Sequence, residues 1–262
     1  MKRSAAAHLE FDVAGAAEIV LSVAVAGSPT RETLLATLDG TPFALREVLD
    51  AHGTRLHVAD CPPGQVVVDY TVEQGGPLPP AEVAEIDTLR YVRPSRYCES
   101  DTLGPTARSQ FSGLAGRALL EAVSSWVGQQ LAYVPGSSAP TDGAVQTLLS
   151  RRGVCRDFAH LVVTLLRALD VPARLVSVYA PGLYPMDFHA VAEAYFDGEW
   201  HVIDATALAP RQSLMRIATG RDASDTAFLS TSGGFVSLVG MEITAVVDEL
   251  PTDDVRDLVR LG

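Results

Sequence analysis

An α+β fold is predicted for this 262-residue chain, with a small β domain ahead of a larger core that mixes helices and strands. Three observations predict it. Residues 8–73 carry short apolar runs at strand spacing, broken by turn signals. The stretch after Cys155, RDFAHLVVTLLRALD, is apolar nearly all round, as expected of a helix enclosed by its own domain. Later, two strand-like runs, FHAVAEAYF and EWHVID, flank Asp197-Gly198, the strongest short hairpin signal.

Taken in order, EIVLSVAVAG, ETLLATLDGTPFALREV with Asp39-Gly40 at its centre, TRLHVAD and QVVVDYTVE are read as the strands of an N-terminal β domain over residues 1–80. GGPLPPAEV, residues 75–83, concentrates glycine and proline with little to bury and is read as the linker. The core, residues 81–262, opens on irregular sequence through LRYVRPSRYCESDTLG. A helix follows over 116–131, where Leu119, Leu120, Val123, Trp126 and Val127 recur at helical spacing, and another over 142–150. The helix after Cys155 stops at Asp170-Val171-Pro172, because proline disfavours helical geometry in the residue before it. ARLVSVYA, the Asp197-Gly198 hairpin and GFVSLVGMEITAVVDEL complete the strands.

Composition narrows the function classes. A net charge of −12 repels a phosphate backbone, so nucleic acid is not an expected partner. The longest apolar run, residues 19–26, is too short to cross a bilayer, so no membrane partner is expected. Three cysteines without paired spacing imply neither a disulfide framework nor a zinc knuckle, and no acidic cluster has calcium-loop spacing; no metal or cofactor is expected. The opening residues MKRSAAAHLEFDV lack an apolar signal-peptide core, and a cytoplasmic location is the expectation.

The chemistry points to Cys155. A cysteine in the first turn of a helix sits among unpaired N–H groups that favour thiolate, so its pKa is expected below the reference of about 8.5. Gly153 is read as leaving room for a substrate backbone, and Arg156 as adding positive charge nearby. If Asp197-Gly198 forms a two-residue turn, Phe196 faces Glu199 and Asp204 lies opposite Val191. His189 and Asp204 then share a face as diagonal neighbours roughly 7–8 Å apart at the backbone, within side-chain reach. The same parity turns His201 away, and His160 lies about 140° round the helix from Cys155. Cys155 would attack a carbonyl, His189 would take the thiol proton and return it to the leaving amine, and Asp204 would fix the imidazole. The Cys155 N–H would serve an oxyanion; Trp126 and Tyr133 are both candidates for the second donor. Asp157 is read first as a helix-start carboxylate and, with His160, as a possible support for the site.

GVCRDFAHLVVTLLRALDVPARLVSVY and HAVAEAYFDGEWHVIDAT resemble the nucleophile helix and the His/Asp hairpin of the bacterial transglutaminase-like superfamily, the papain-like group of transglutaminases and cysteine proteases or amidases. YVRPSRYCESD, the WV…LAYVPGSS region and GRDASDTAFL are also similar to that family. The resemblance implies a papain-like core with the nucleophile helix packed on an antiparallel sheet, and Cys155, His189 and Asp204 as nucleophile, base and orienting acid. Many members carry tryptophan two residues after the histidine and proline after the aspartate, where this chain has Val191 and Ala205. The expected activity is hydrolysis of a peptide or other amide through a thioacyl-enzyme. Protein-glutamine transamidation with the same residues and a non-catalytic binding module are the alternatives.

Overall fold

The computed structural model describes residues 1–76 and 83–261. Most of the segment read as a linker, and the boundary between residues 80 and 81, lie outside the described residues.

The first 75 residues form strands β1 (Lys2–Leu21), β2 (Arg31–Leu38), β3 (Thr41–Pro42), β4 (Arg46–Leu49), β5 (Arg55–Cys61) and β6 (Gly64–Gly75). Alternation explains β1: Ala5, Ala7, Leu9, Phe11 and Val13 are buried, while the residues between them face outward. Asp39 and Gly40 both take positive φ, as a tight hairpin turn requires. The sheet runs β3-β2-β6-β1-β5-β4, and β13 (Leu229–Val247) pairs antiparallel along β1 from Arg3 to Leu21.

The rest of the chain adds helices α1 (Glu85–Arg90), α2 (Ser100–Gln110), α3 (Gly116–Gln130), α4 (Ala144–Ser150), α5 (Cys155–Arg167) and α6 (Ala223–Thr226). Two short strands, β7 (Ala132–Tyr133) and β8 (Arg152–Gly153), pair in parallel just ahead of α5. β9 (Ala173–Tyr179), β10 (Phe188–Phe196), β11 (Glu199–Ile203) and β12 (Met215–Gly220) form an antiparallel sheet in the order β11-β10-β9-β12. The fold is α+β, with α5 packed on this sheet.

α5 carries the core. From Phe158 to Leu166 it is buried on every side, against Leu103 and Ala107 of α2, Leu120, Val123 and Val127 of α3, and Ala192, Ala194 and Ile203 of the sheet. Each fully buried Leu or Val there contributes about 1.5–3 kcal/mol. The other sheet face buries Val176, Val178, Val191 and Val202.

α2 departs from the sequence reading, which placed irregular chain through residue 104. Pro105 lacks the N–H for the usual bond to the carbonyl four residues back, which weakens the local signal. Burial of Leu103 and Ala107 on one face outweighs that cost.

A charged cluster is buried at the sheet end far from the hairpin mouth. Glu193 accepts from Arg174 Nε at 2.7 Å and from Arg216 Nη2 at 2.6 Å, and the Arg174 guanidinium lies 4.0 Å from the Trp200 ring centre. Burial opposes ionisation of Glu193, but the Arg216 and Arg174 charges outweigh it and hold its carboxyl down to about 2.

Candidate active site

The hairpin register is that of a two-residue turn. Asp197 and Gly198 both have positive φ, Phe196 faces Glu199, and Ala192 faces Ile203. Asp204 therefore follows β11 directly, on the face of Val202, and its Oδ2 lies 2.8 Å from His189 Nε2. Both groups are buried, His189 to 1% exposure and Asp204 to 6%. Thr206 closes a local turn on the same carboxylate: its N–H and hydroxyl donate to Asp204 Oδ1 at 2.9 and 2.7 Å. Thr206 was absent from the residues singled out in the sequence, although Asp-x-Thr is a legible turn signal.

Electrostatics fix the proton on the ring. Burial works against the Asp204 carboxylate, but the His189 charge and the bonds from His189 and Thr206 hold its pKa below the ordinary value. An ionised carboxylate only accepts, so His189 Nε2–H is the donor. Burial likewise works against the imidazolium, yet Asp204, with a smaller effect from Cys155, pushes His189 up to about 10. The other ring nitrogen, Nδ1, is buried without a hydrogen-bond partner, and the Cys155 thiol lies close enough to bear on the ring's charge. Cys155, His189 and Asp204 are thus brought together, from the start of α5, the start of β10 and the end of β11.

The first turn of α5 is built by its neighbours. Val154 is extended, and its N–H donates to the Asp157 carboxylate at 2.8 Å, so Asp157 is a helix-start carboxylate, fully buried. Arg156 does not aim at the thiol: its guanidinium donates to Asp157 Oδ1 at 2.8 Å and to the Ala139 carbonyl at 2.9 Å. Gly153 also differs from its sequence reading. A Cβ there would fall 2.6 Å from Asp157 Cβ, so the glycine admits the capping carboxylate rather than a substrate. Gly153→Ala is expected to destabilise the fold by about 1–3 kcal/mol, read by urea denaturation. A loss under about 0.5 kcal/mol would show that the cap relaxes freely.

The remaining histidines of this region are structural. His160 stacks on Tyr97 with ring centres 5.4 Å apart, and its Nε2 accepts from Ala223 N–H at 3.1 Å. Burial pushes it down to about 4, so it stays neutral. His201 Nε2 donates to the Phe196 carbonyl at 3.2 Å. Cys61 and Cys98 are free and buried, whereas Cys155 is half-buried. Among the described residues, no cluster of three His, Cys, Asp or Glu side chains is arranged to hold a metal ion, and no helix is long and apolar enough to cross a membrane.

Residues 112–205 match the profile of the transglutaminase-like superfamily. A candidate cysteine protease from Cytophaga hutchinsonii superposes with a TM-score of 0.87 at 29% identity, covering 99% of this chain and 96% of that one. The uncharacterized protein ML0607 of Mycobacterium leprae (strain TN) is 30% identical over 122 residues, 42% of this chain; the match spans 43% of that relative's length. The periplasmic domain of TgpA from Pseudomonas aeruginosa is more distant, with a TM-score of 0.42 and 17% identity over 75% of this chain and 91% of that one.

Proposed function

We propose that this chain, whose residues 112–205 match the transglutaminase-like superfamily, is a cysteine-dependent hydrolase cleaving a peptide or other amide through a thioacyl-enzyme. One observation carries the reading: a buried His189–Asp204 couple, its second ring nitrogen without a partner, lies close enough to the Cys155 thiol at the start of a buried helix for each to bear on the other's charge. An imidazolium beside the sulfur favours thiolate by charge. The Cys155 sulfur attacks the carbonyl carbon, and the carbonyl electron pair moves onto oxygen. Collapse reforms the carbonyl and breaks the C–N bond, and His189 gives its proton to the departing amine. Water then attacks the thioester carbon and gives a proton to the now neutral His189; the C–S bond breaks, releasing the acid and restoring the sulfur beside a protonated His189.

Transamidation shares the first half-reaction and differs in the acyl acceptor. Hydrolysis is preferred because water reaches a half-buried Cys155, and the similar Cytophaga hutchinsonii structure carries the name of a candidate protease. Mass spectrometry after incubation with a peptide and amide library tests the proposal. An acyl adduct on Cys155, absent from Cys155→Ala, is expected; a library that leaves both proteins unmodified and uncleaved argues for the binding-module alternative.

A further inference from the structure

The oxyanion formed in the first step needs donors, and the fold offers Cys155 N–H at the start of α5. Of the two side chains considered from the sequence, Trp126 is committed to the helical core, edge-on to Phe111 with ring centres 5.8 Å apart. Tyr133 is placed differently. It ends β7, paired with Gly153, and the next residue, Val134, donates its N–H to the Gly153 carbonyl at 2.9 Å. This short ladder sets Tyr133 beside the chain two residues before the nucleophile. Its ring leans on Phe158 at 5.9 Å, and Cys155 lies near enough to bear on the charge of the phenol. At 40% exposure the side chain is open to an incoming ligand.

We propose that Tyr133 is the second oxyanion donor, its O–H and the Cys155 N–H together receiving the carbonyl oxygen as it takes up negative charge; this rests on the acyl-transfer reading above. An arriving carbonyl oxygen meets the Cys155 N–H at the helix start, and the phenol turns its own hydrogen towards it. Burial first, then the Cys155 charge and, more weakly, Asp187, push the phenol up to about 12 against the opposing Cys155 N–H, so it keeps its proton over the working range. The sulfur gains one bond to carbon, the carbonyl pair rests on oxygen between two donors, and no group other than His189 changes protonation.

Tyr133→Phe tests the assignment with two probes that both consume the thiol. p-Nitrophenyl acetate acylates Cys155 through a tetrahedral oxyanion and releases nitrophenolate; iodoacetamide alkylates it by displacing iodide, with no oxyanion. The variant keeps the ring against Phe158. We expect nitrophenolate release to slow by about 10²–10³-fold, the usual effect of removing one oxyanion donor, with the alkylation rate unchanged. Equal slowing of both reactions would assign Tyr133 to positioning the sulfur, and unchanged or faster acylation would remove it as a donor; each overturns the proposal. Mass spectrometry separates the two levels of inference. A wild-type protein that never carries acetyl on Cys155 overturns the hydrolase reading and Tyr133's role with it, whereas acetyl-Cys155 in wild type with an unaffected Tyr133→Phe overturns the Tyr133 assignment alone.

Discussion

Asp204→Asn is expected to slow acylation of Cys155 by about 10³–10⁴-fold while leaving the fold intact. The carboxylate is buried and accepts three hydrogen bonds, from His189 Nε2–H and from the N–H and hydroxyl of Thr206. An asparagine of the same shape keeps the bonds at one oxygen, but its amide nitrogen then faces His189 Nε2 as a second donor. The ring answers by taking the other tautomer, with its proton on the nitrogen turned towards Cys155, and no carboxylate remains to stabilise the imidazolium. Nitrophenolate release reads the rate. The ring titration, followed by NMR, reads the cause: His189 is pushed up to about 10 in the wild type, and that midpoint should fall well below it in the variant.

The stability consequence has a definite sign. The folded pKa of His189 lies above its ordinary 6.5, so the couple's contribution is complete below about pH 6.5 and is lost as pH rises towards 10. Asp204→Asn should flatten that part of the stability profile. Acylation within about tenfold of wild type would show that Asp204 does not orient the ring.

Glu193→Gln is expected to be the most damaging single change to stability, costing about 3–5 kcal/mol by urea denaturation. Glu193 is the carboxylate shared by Arg174 and Arg216, and Glu193 and Arg174 are both wholly buried. A neutral amide leaves two cations in the interior with their desolvation uncompensated. Replacing the cluster as a unit, with Glu193→Leu, Arg174→Met and Arg216→Met together, should recover part of the loss, because apolar groups carry no such cost. A loss below about 1 kcal/mol for Glu193→Gln would mean that water reaches the guanidinium groups. Glu193 lies on the strand that carries His189, so the acylation rate of the folded variant also reports how rigidly the cluster holds that strand.

Much of the site was legible because its geometry follows from local rules. Asp197-Gly198 selects a turn, the turn selects a register, and period-two alternation then puts His189 and Asp204 on one face while excluding His201. The apolar circumference of α5 announced its burial in the same way. α2 was not legible: its own residues include Gly104 and Pro105, and the helix exists because distant side chains cover Leu103 and Ala107.

The sequence by itself determined the apolar helix after Cys155 and the pairing inside the hairpin, since both depend on neighbours a few residues away. Tertiary structure alone decided what Gly153 and Arg156 touch and where Tyr133 sits. Arg156 turns to Asp157 because that carboxylate is buried and needs a partner, Gly153 yields its Cβ space to the same side chain, and Tyr133 is set beside Gly153 by a two-residue ladder. Each of these roles is set by which charge, cap or strand edge happens to be packed alongside, and burial makes such contacts strong because water is absent to compete for them.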